Sequence, residues 1–194
     1  MLEAVLRTEA LDPRHRAHFR LAQATTEDAA FICRLRADPD LNQHLHRGST
    51  EVEDQRRWLE AYKTREAEGR EFYFVIVYEG ADLGVVRMYD LRRDQTPTSF
   101  SWGSWVIPAP RPPGLVTFTA LMIYEVGFDA LGFQQAHFAV DKGNVGVIEF
   151  HLRAGARQVY EDDVEFRYVY PPEAYRRLRA ESAERYAQLR RAYP

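Results

Sequence analysis

Cysteine is nearly missing from this chain. Cys33 stands alone among 194 residues, which excludes an internal disulfide framework and leaves a buried, inert thiol in a helix-like stretch as its reading. Long apolar runs are missing too, and every run falls far short of the ~18 residues that a membrane span needs. The N-terminus, Met1-Leu-Glu-Ala-Val-Leu-Arg-Thr-Glu9, carries acids inside its apolar part and lacks a signal-peptide layout. We therefore expect no membrane association and a cytoplasmic location. An excess of basic charge is also lacking. The formal net charge is -3, which argues against a phosphate-tracking surface and so against nucleic acid. Internal repeats and low-complexity segments do not occur. His44 and His46, two apart, make no metal motif, and Asp141 and His137 supply no partner spacing, so no metal is expected.

What remains is an ordinary globular composition, 45% hydrophobic and 28% charged, in a length that suits one domain. Residues 1–17 are charged and aperiodic, an extension or a short helix. Phe19–Ala24 alternates as a strand. Thr25 and the acids after it cap a helix, and Thr50 opens a second that Gly69 stops. Glu71–Tyr78, Leu83–Tyr89 and Ser99–Ile107 read as three successive antiparallel strands, rich in aromatic and branched residues. A Pro-rich turn leads to a helix over 116–131 that ends at Gly132. Strand 136–140, helix 145–154 and strands 157–160 and 165–170 follow. Pro171-Pro172 opens a charged C-terminal helix to about Arg190, whose Tyr175, Leu178, Tyr186 and Leu189 we expect to dock on the core or on a second subunit, leaving a homodimer open.

One stretch is more specific. Asn144-Val-Gly-Val-Ile-Glu-Phe-His-Leu-Arg-Ala-Gly155 begins on a helix-capping Asn, runs through a helix pattern and ends on a Gly that can stop it. It follows the short apolar strand Ala136-His-Phe-Ala-Val140. This arrangement resembles the second cofactor motif of the GNAT (Gcn5-related) N-acetyltransferases, and the element order over residues 18–170 matches that family's layout. The resemblance implies a mixed α/β fold, with a mostly antiparallel central sheet flanked by helices and residues 171–194 as an added helix. It implies acetyl-CoA as co-substrate, with Asn144 meeting the pantetheine arm and Val147 and Phe150 beside it. His151 falls at the family's tyrosine position, where the side chain protonates the departing thiolate. Histidine there has three readings: a satisfied core residue on the inward face of the helix, an imidazolium acid near neutral pH, or, if burial lowers its pKa, a neutral hydrogen-bonding group.

The family's first cofactor motif holds the CoA pyrophosphate on backbone N–H groups at a helix N-terminus. Its counterpart here is Arg111-Pro-Pro-Gly114-Leu-Val116. Two prolines supply no N–H and Val116 replaces a small residue, so the expected cradle reduces to Arg111, the amides of Gly114, Leu115, Val116 and Thr117, and the Thr117 hydroxyl. Strand 99–107 should lie along the pantetheine, with Val106 at the cofactor, Ser104 a catalytic candidate and Gly103 a natural bulge site. Period two places Phe100, Trp102 and Ser104 on one face and Ser101, Gly103 and Trp105 on the other. These aromatics are either core or a wall for a sugar or nucleobase. The acceptor side should draw on His44, which is also a catalytic candidate, and on His46, Arg87, Tyr89, Trp102 and Ser104.

Further phrases, including Gln55-Arg-Arg-Trp58, Gly84-Val-Val-Arg87-Met-Tyr-Asp90 and Trp102-Gly-Ser-Trp105, are similar to a GNAT subgroup of amino-sugar N-acetyltransferases. That implies a small-molecule amine acceptor, a nucleotide-linked amino sugar in polysaccharide biosynthesis. The alternatives are a Rim-type protein or peptide N-terminal acetyltransferase, and a non-catalytic acyl-CoA-binding or protein-interaction module.

Overall fold

The computed structural model describes residues 16–39, 41 and 51–189. The chain alternates as the sequence pattern demands. Strand β1 (Ala17–Leu21) and helices α1 (Thr26–Ala37) and α2 (Val52–Ala67) come first, then β2 (Phe72–Tyr78), β3 (Ala81–Arg92) and β4 (Ser99–Val106). Helix α3 (Leu115–Tyr124) continues as a wider π-helical turn, Glu125–Ala130, into β5 (Gln135–Asp141) and α4 (Val145–Ala154). Strands β6 (Arg157–Glu161) and β7 (Glu165–Tyr170) and helices α5 (Pro172–Glu181) and α6 (Ala183–Leu189) complete it. The seven strands form one sheet in the order β1-β2-β3-β4-β5-β7-β6. All neighbours are antiparallel except β4 and β5.

The sheet is covered on both sides. Alternation sends Phe72, Phe74, Ile76, Val86 and Met88 to the face under α3, while Tyr73, Val75, Val77 and Val85 meet α1 and α2 on the other. Cys33 is buried on α1. The cap of α1 is as expected, with the Asp28 N–H donating to Thr25 Oγ1 at 3.2 Å. The C-terminal helix docks on the core rather than lying in solvent. Tyr175 is buried and its hydroxyl donates to Asp129 at 2.7 Å; Tyr186 packs on Phe118 with ring centroids 5.2 Å apart. It is two helices, not the single one expected: the chain breaks at Ser182, outside helical φ/ψ, and this turns the last segment back toward α3. Among the described residues no helix is long and apolar enough to cross a membrane.

Candidate active site

The site begins where two strands part. β4 and β5 run parallel but pair only at Ser99↔Gln135 and Phe100↔Ala136. Beyond that point they diverge, and a cleft of about 120 Å³ opens between Trp102–Trp105 of β4, Phe138–Asp141 of β5 and the flank of α4 at Asn144, Val147 and His151. A bulge on β4 helps to separate them. Val85 pairs with Val106 and Arg87 with Gly103, so β4 holds one residue more than β3 over that span. The extra residue takes the positive φ at Ser104, +48°. The bulge thus sits one residue past Gly103.

That insertion overturns the expected alternation. An extra residue shifts the pleat by one, so Trp105 rejoins the face of Trp102. The two indoles meet edge to face at 5.2 Å, and Trp105 Nε1 donates to Thr119 of α3 at 3.2 Å. Val106 is carried to the opposite core with α1 and α2, away from the position expected for a cofactor-lining residue. Trp102 forms the back of the cleft against Tyr124, Phe138 and His151.

Helix α4 presents its side to the cleft. Its N-terminus is closed by its own residues: Asn144 Oδ1 accepts from the Val147 N–H at 3.4 Å. Gly155, at φ +103°, ends the helix. His151 is 4% exposed, with its ring 4.2 Å from Phe138 and 5.4 Å from Trp102. Burial without a charge partner pushes its pKa down to about 3, so the ring is neutral at physiological pH. Of the three readings of this residue, the imidazolium acid does not suit its surroundings. Nδ1 is buried with no partner, which leaves Nε2 as the nitrogen able to serve the cleft.

Helix α3 presents its end. Gly114 is the N-cap at φ +88°, with no side-chain cap and no acid in the first turn. The Leu115 N–H closes the turn onto Pro112 O at 3.1 Å. The cradle is therefore one amide smaller than expected, with Gly114, Val116 and Thr117 remaining, since first-turn amides have no intrahelical partner. Arg111 donates to Ile107 O at 3.0 Å and braces the loop.

The remaining acceptor candidates do not converge on one spot. Arg87 and Tyr89 lie on the α1/α2 side of the sheet, across from Trp102 and His151. Arg87 Nε donates to the buried Glu71 at 2.9 Å, Arg65 holds the other Glu71 oxygen at 2.7 Å, and the Arg87 guanidinium lies 4.9 Å from the Trp58 ring. Arg87 and Arg65 thus share one buried carboxylate. His44 and His46 fall outside the described residues. A pair the sequence reading did not assemble is His137 with Asp90. His137 Nε2 lies 2.9 Å from Asp90 Oδ2, brought there by a second register shift where Asp90 takes φ +48°. Nε2 is taken by the carboxylate and Nδ1 is buried with no partner, and burial lowers the pKa of the ring, so the pair ties β3 to β5 and offers no open nitrogen to the cleft. Among the described residues no group of His, Cys, Asp and Glu could hold a metal ion.

Comparison with known proteins decides the family. The model of the acetyltransferase (GNAT) domain matches residues 18–157. The chain is a GNAT acetyltransferase. Among solved structures this GNAT chain is similar to apo FdhC, described as a nucleotide-linked sugar GNAT, at 37% identity over 90% of this chain and 95% of that one, with a TM-score of 0.76. Mycobacterium smegmatis RimJ in complex with CoA-disulfide shares the fold at 18% identity, 88% and 91% coverage and a TM-score of 0.69. So does Campylobacter jejuni N-acetyltransferase PseH, at 14% identity, 80% and 98% coverage and a TM-score of 0.61. No curated protein matches the chain. GNAT enzymes use acetyl-CoA, and the residues here fit it. A slot between diverging strands is bordered by the capped end of α4 and by a buried imidazole whose Nδ1 lacks a partner.

Proposed function

We propose that this acetyltransferase moves the acetyl group of acetyl-CoA to a primary amine on a nucleotide-linked amino sugar. One observation carries the reading: 37% identity across 90% of the chain with a nucleotide-linked sugar GNAT, against 18% for the Rim-type structure. Acetyl-CoA supplies the activated acyl group when bound. Gly114, Val116 and Thr117 hold its pyrophosphate by their amides, and Asn144, Val147 and Phe150 flank its pantetheine. The strands hold the thioester and the amine together, so much of the acceleration is proximity. A backbone amide at the Ser104 bulge polarises the carbonyl. As the C–N bond forms and the C–S bond breaks, neutral His151 donates a hydrogen bond to the sulfur, which leaves as the thiolate, and the proton of the amine passes to water. Residues 18–170 act as the catalytic domain, in the cytoplasm and within polysaccharide biosynthesis.

The test is a panel of UDP- and dTDP-linked amino sugars, with N-terminal peptides alongside, read by mass spectrometry. Acetyl gain on at least one amino sugar is expected. Acetylation of peptides alone would replace this reading with the Rim-type one.

A further inference from the structure

Helix α6 reaches back to the start of α3. Tyr186 anchors it, buried against Phe118 with its hydroxyl donating to Glu125. The anchor sets the neighbouring residue, Arg185, over the loop that precedes α3. Arg185 Nη1 donates to Pro113 O at 2.9 Å. A Cβ built on Gly114 would stand 2.8 Å from Arg185 Cγ, so only glycine leaves room for this stem. A guanidinium has five N–H donors, and this hydrogen bond uses one. Among the described residues no carboxylate pairs with Arg185.

The placement is electrostatically awkward for the protein alone. A helix N-terminus carries partial positive charge, and a cation beside it is repelled. Nothing on α3 relieves this, because its first turn has no acid and its cap no side-chain hydrogen bond. Helix α4 differs in having Asn144 to cap it. An unpaired cation fixed by packing at an uncapped helix end is an arrangement that an anion completes.

We propose that Arg185 is a phosphate ligand of bound CoA. It replaces donors that Pro112 and Pro113 lack and that Leu115 directs to Pro112, and it makes the last helix part of the cofactor site. The proposal rests on the reading that this chain uses acetyl-CoA.

The experiment measures CoA binding to the full chain by calorimetry, together with kinetics on acetyl-CoA and on acetyl-pantetheine, which has no phosphate. Arg185→Met keeps the aliphatic packing over Gly114 and removes the charge. It should weaken CoA about tenfold, roughly 1.4 kcal/mol, raise KM for acetyl-CoA by a similar factor, and leave kcat and the KM for acetyl-pantetheine unchanged. Arg185→Lys should recover part of the loss. Arg176→Met, an exposed α5 control, should bind as the wild type does. Wild-type affinity in Arg185→Met overturns the proposal, as does an equal loss with acetyl-pantetheine, which marks a packing effect. If Arg185→Met melts early, Arg185→Lys decides, since a purely structural role predicts no salt-dependent change in its CoA affinity. Failure of the wild-type protein to bind CoA sinks the acetyl-CoA reading itself and this proposal with it.

Discussion

Helices α3 and α4 end in opposite ways at their N-termini. Helix α4 seals its own N-terminus with Asn144 and offers its side, where His151 lies about two turns further on. Helix α3 offers its end, with a glycine cap, no acid in the first turn and an arginine from another helix beside it. A helix end that is satisfied internally is free to position a side chain. An end left unsatisfied is a binding element whose own stability depends on what arrives there. On the proposed function, the same backbone geometry would give one group acting on the bond being broken and one acting on a remote charge.

Breaking the side-on contribution should have the largest effect on rate. His151→Phe should lower kcat roughly 100-fold, the scale for losing one hydrogen bond to developing charge. KM for acetyl-CoA should change little in steady-state kinetics, because the bond strengthens as the thiolate forms. A kcat near the wild-type value would reduce His151 to packing. The same variant has a pH signature. The folded pKa of His151, about 3, lies below the ordinary value of about 6.5, so the unfolded chain binds the extra proton. Its neutral burial therefore stabilises fully above about pH 6.5, and that stability is lost as pH falls toward 3. Melting temperatures of His151→Phe should fall less steeply below pH 6 than those of the wild type.

The end-on contribution can be blocked by giving α3 the acid that it lacks. Thr117→Glu places a carboxylate in the first turn. It should weaken CoA at least tenfold in calorimetry while raising the stability of the free protein by about 0.3–1 kcal/mol. This is a cleaner change than one at Gly114, where any side chain meets both the positive φ and the Arg185 stem. Equal CoA affinity in Thr117→Glu would move the pyrophosphate elsewhere. The smallest effect belongs to the sealed end. Asn144→Ala should destabilise by about 1 kcal/mol through the lost cap, seen in urea unfolding, with CoA affinity reduced by less than in Thr117→Glu.

Most of the fold was legible in the sequence because alternation and helical period match burial closely, and the caps at Thr25 and Asn144 form as read. What escaped depends on single-residue shifts of register. Period two cannot foresee that Ser104 is an extra residue, so Trp105 was assigned to the wrong face. The approach of His137 to Asp90 depends on a similar shift in β3. Arg185 escaped for another reason: it reaches Gly114 only because the chain turns at Ser182, a contact across 71 positions of sequence that no local pattern encodes. His151 was found by its place in a motif, but its protonation state needed the ring's surroundings, since burial decides it.

The two residue pairs that join β4 to β5 leave the sheet with a seam. On one side stand four strands and on the other three, and past Phe100 and Ala136 the main-chain groups facing across the seam have no rung between them. Buried amides and carbonyls want partners, so an extended ligand with amide groups of its own can be gripped there by backbone alone. Such an occupant works as a removable strand. It should slow amide exchange along residues 102–105 and 138–141 together, coupling the two halves of the sheet, and the grip would tolerate wide variation in the side chains along the seam.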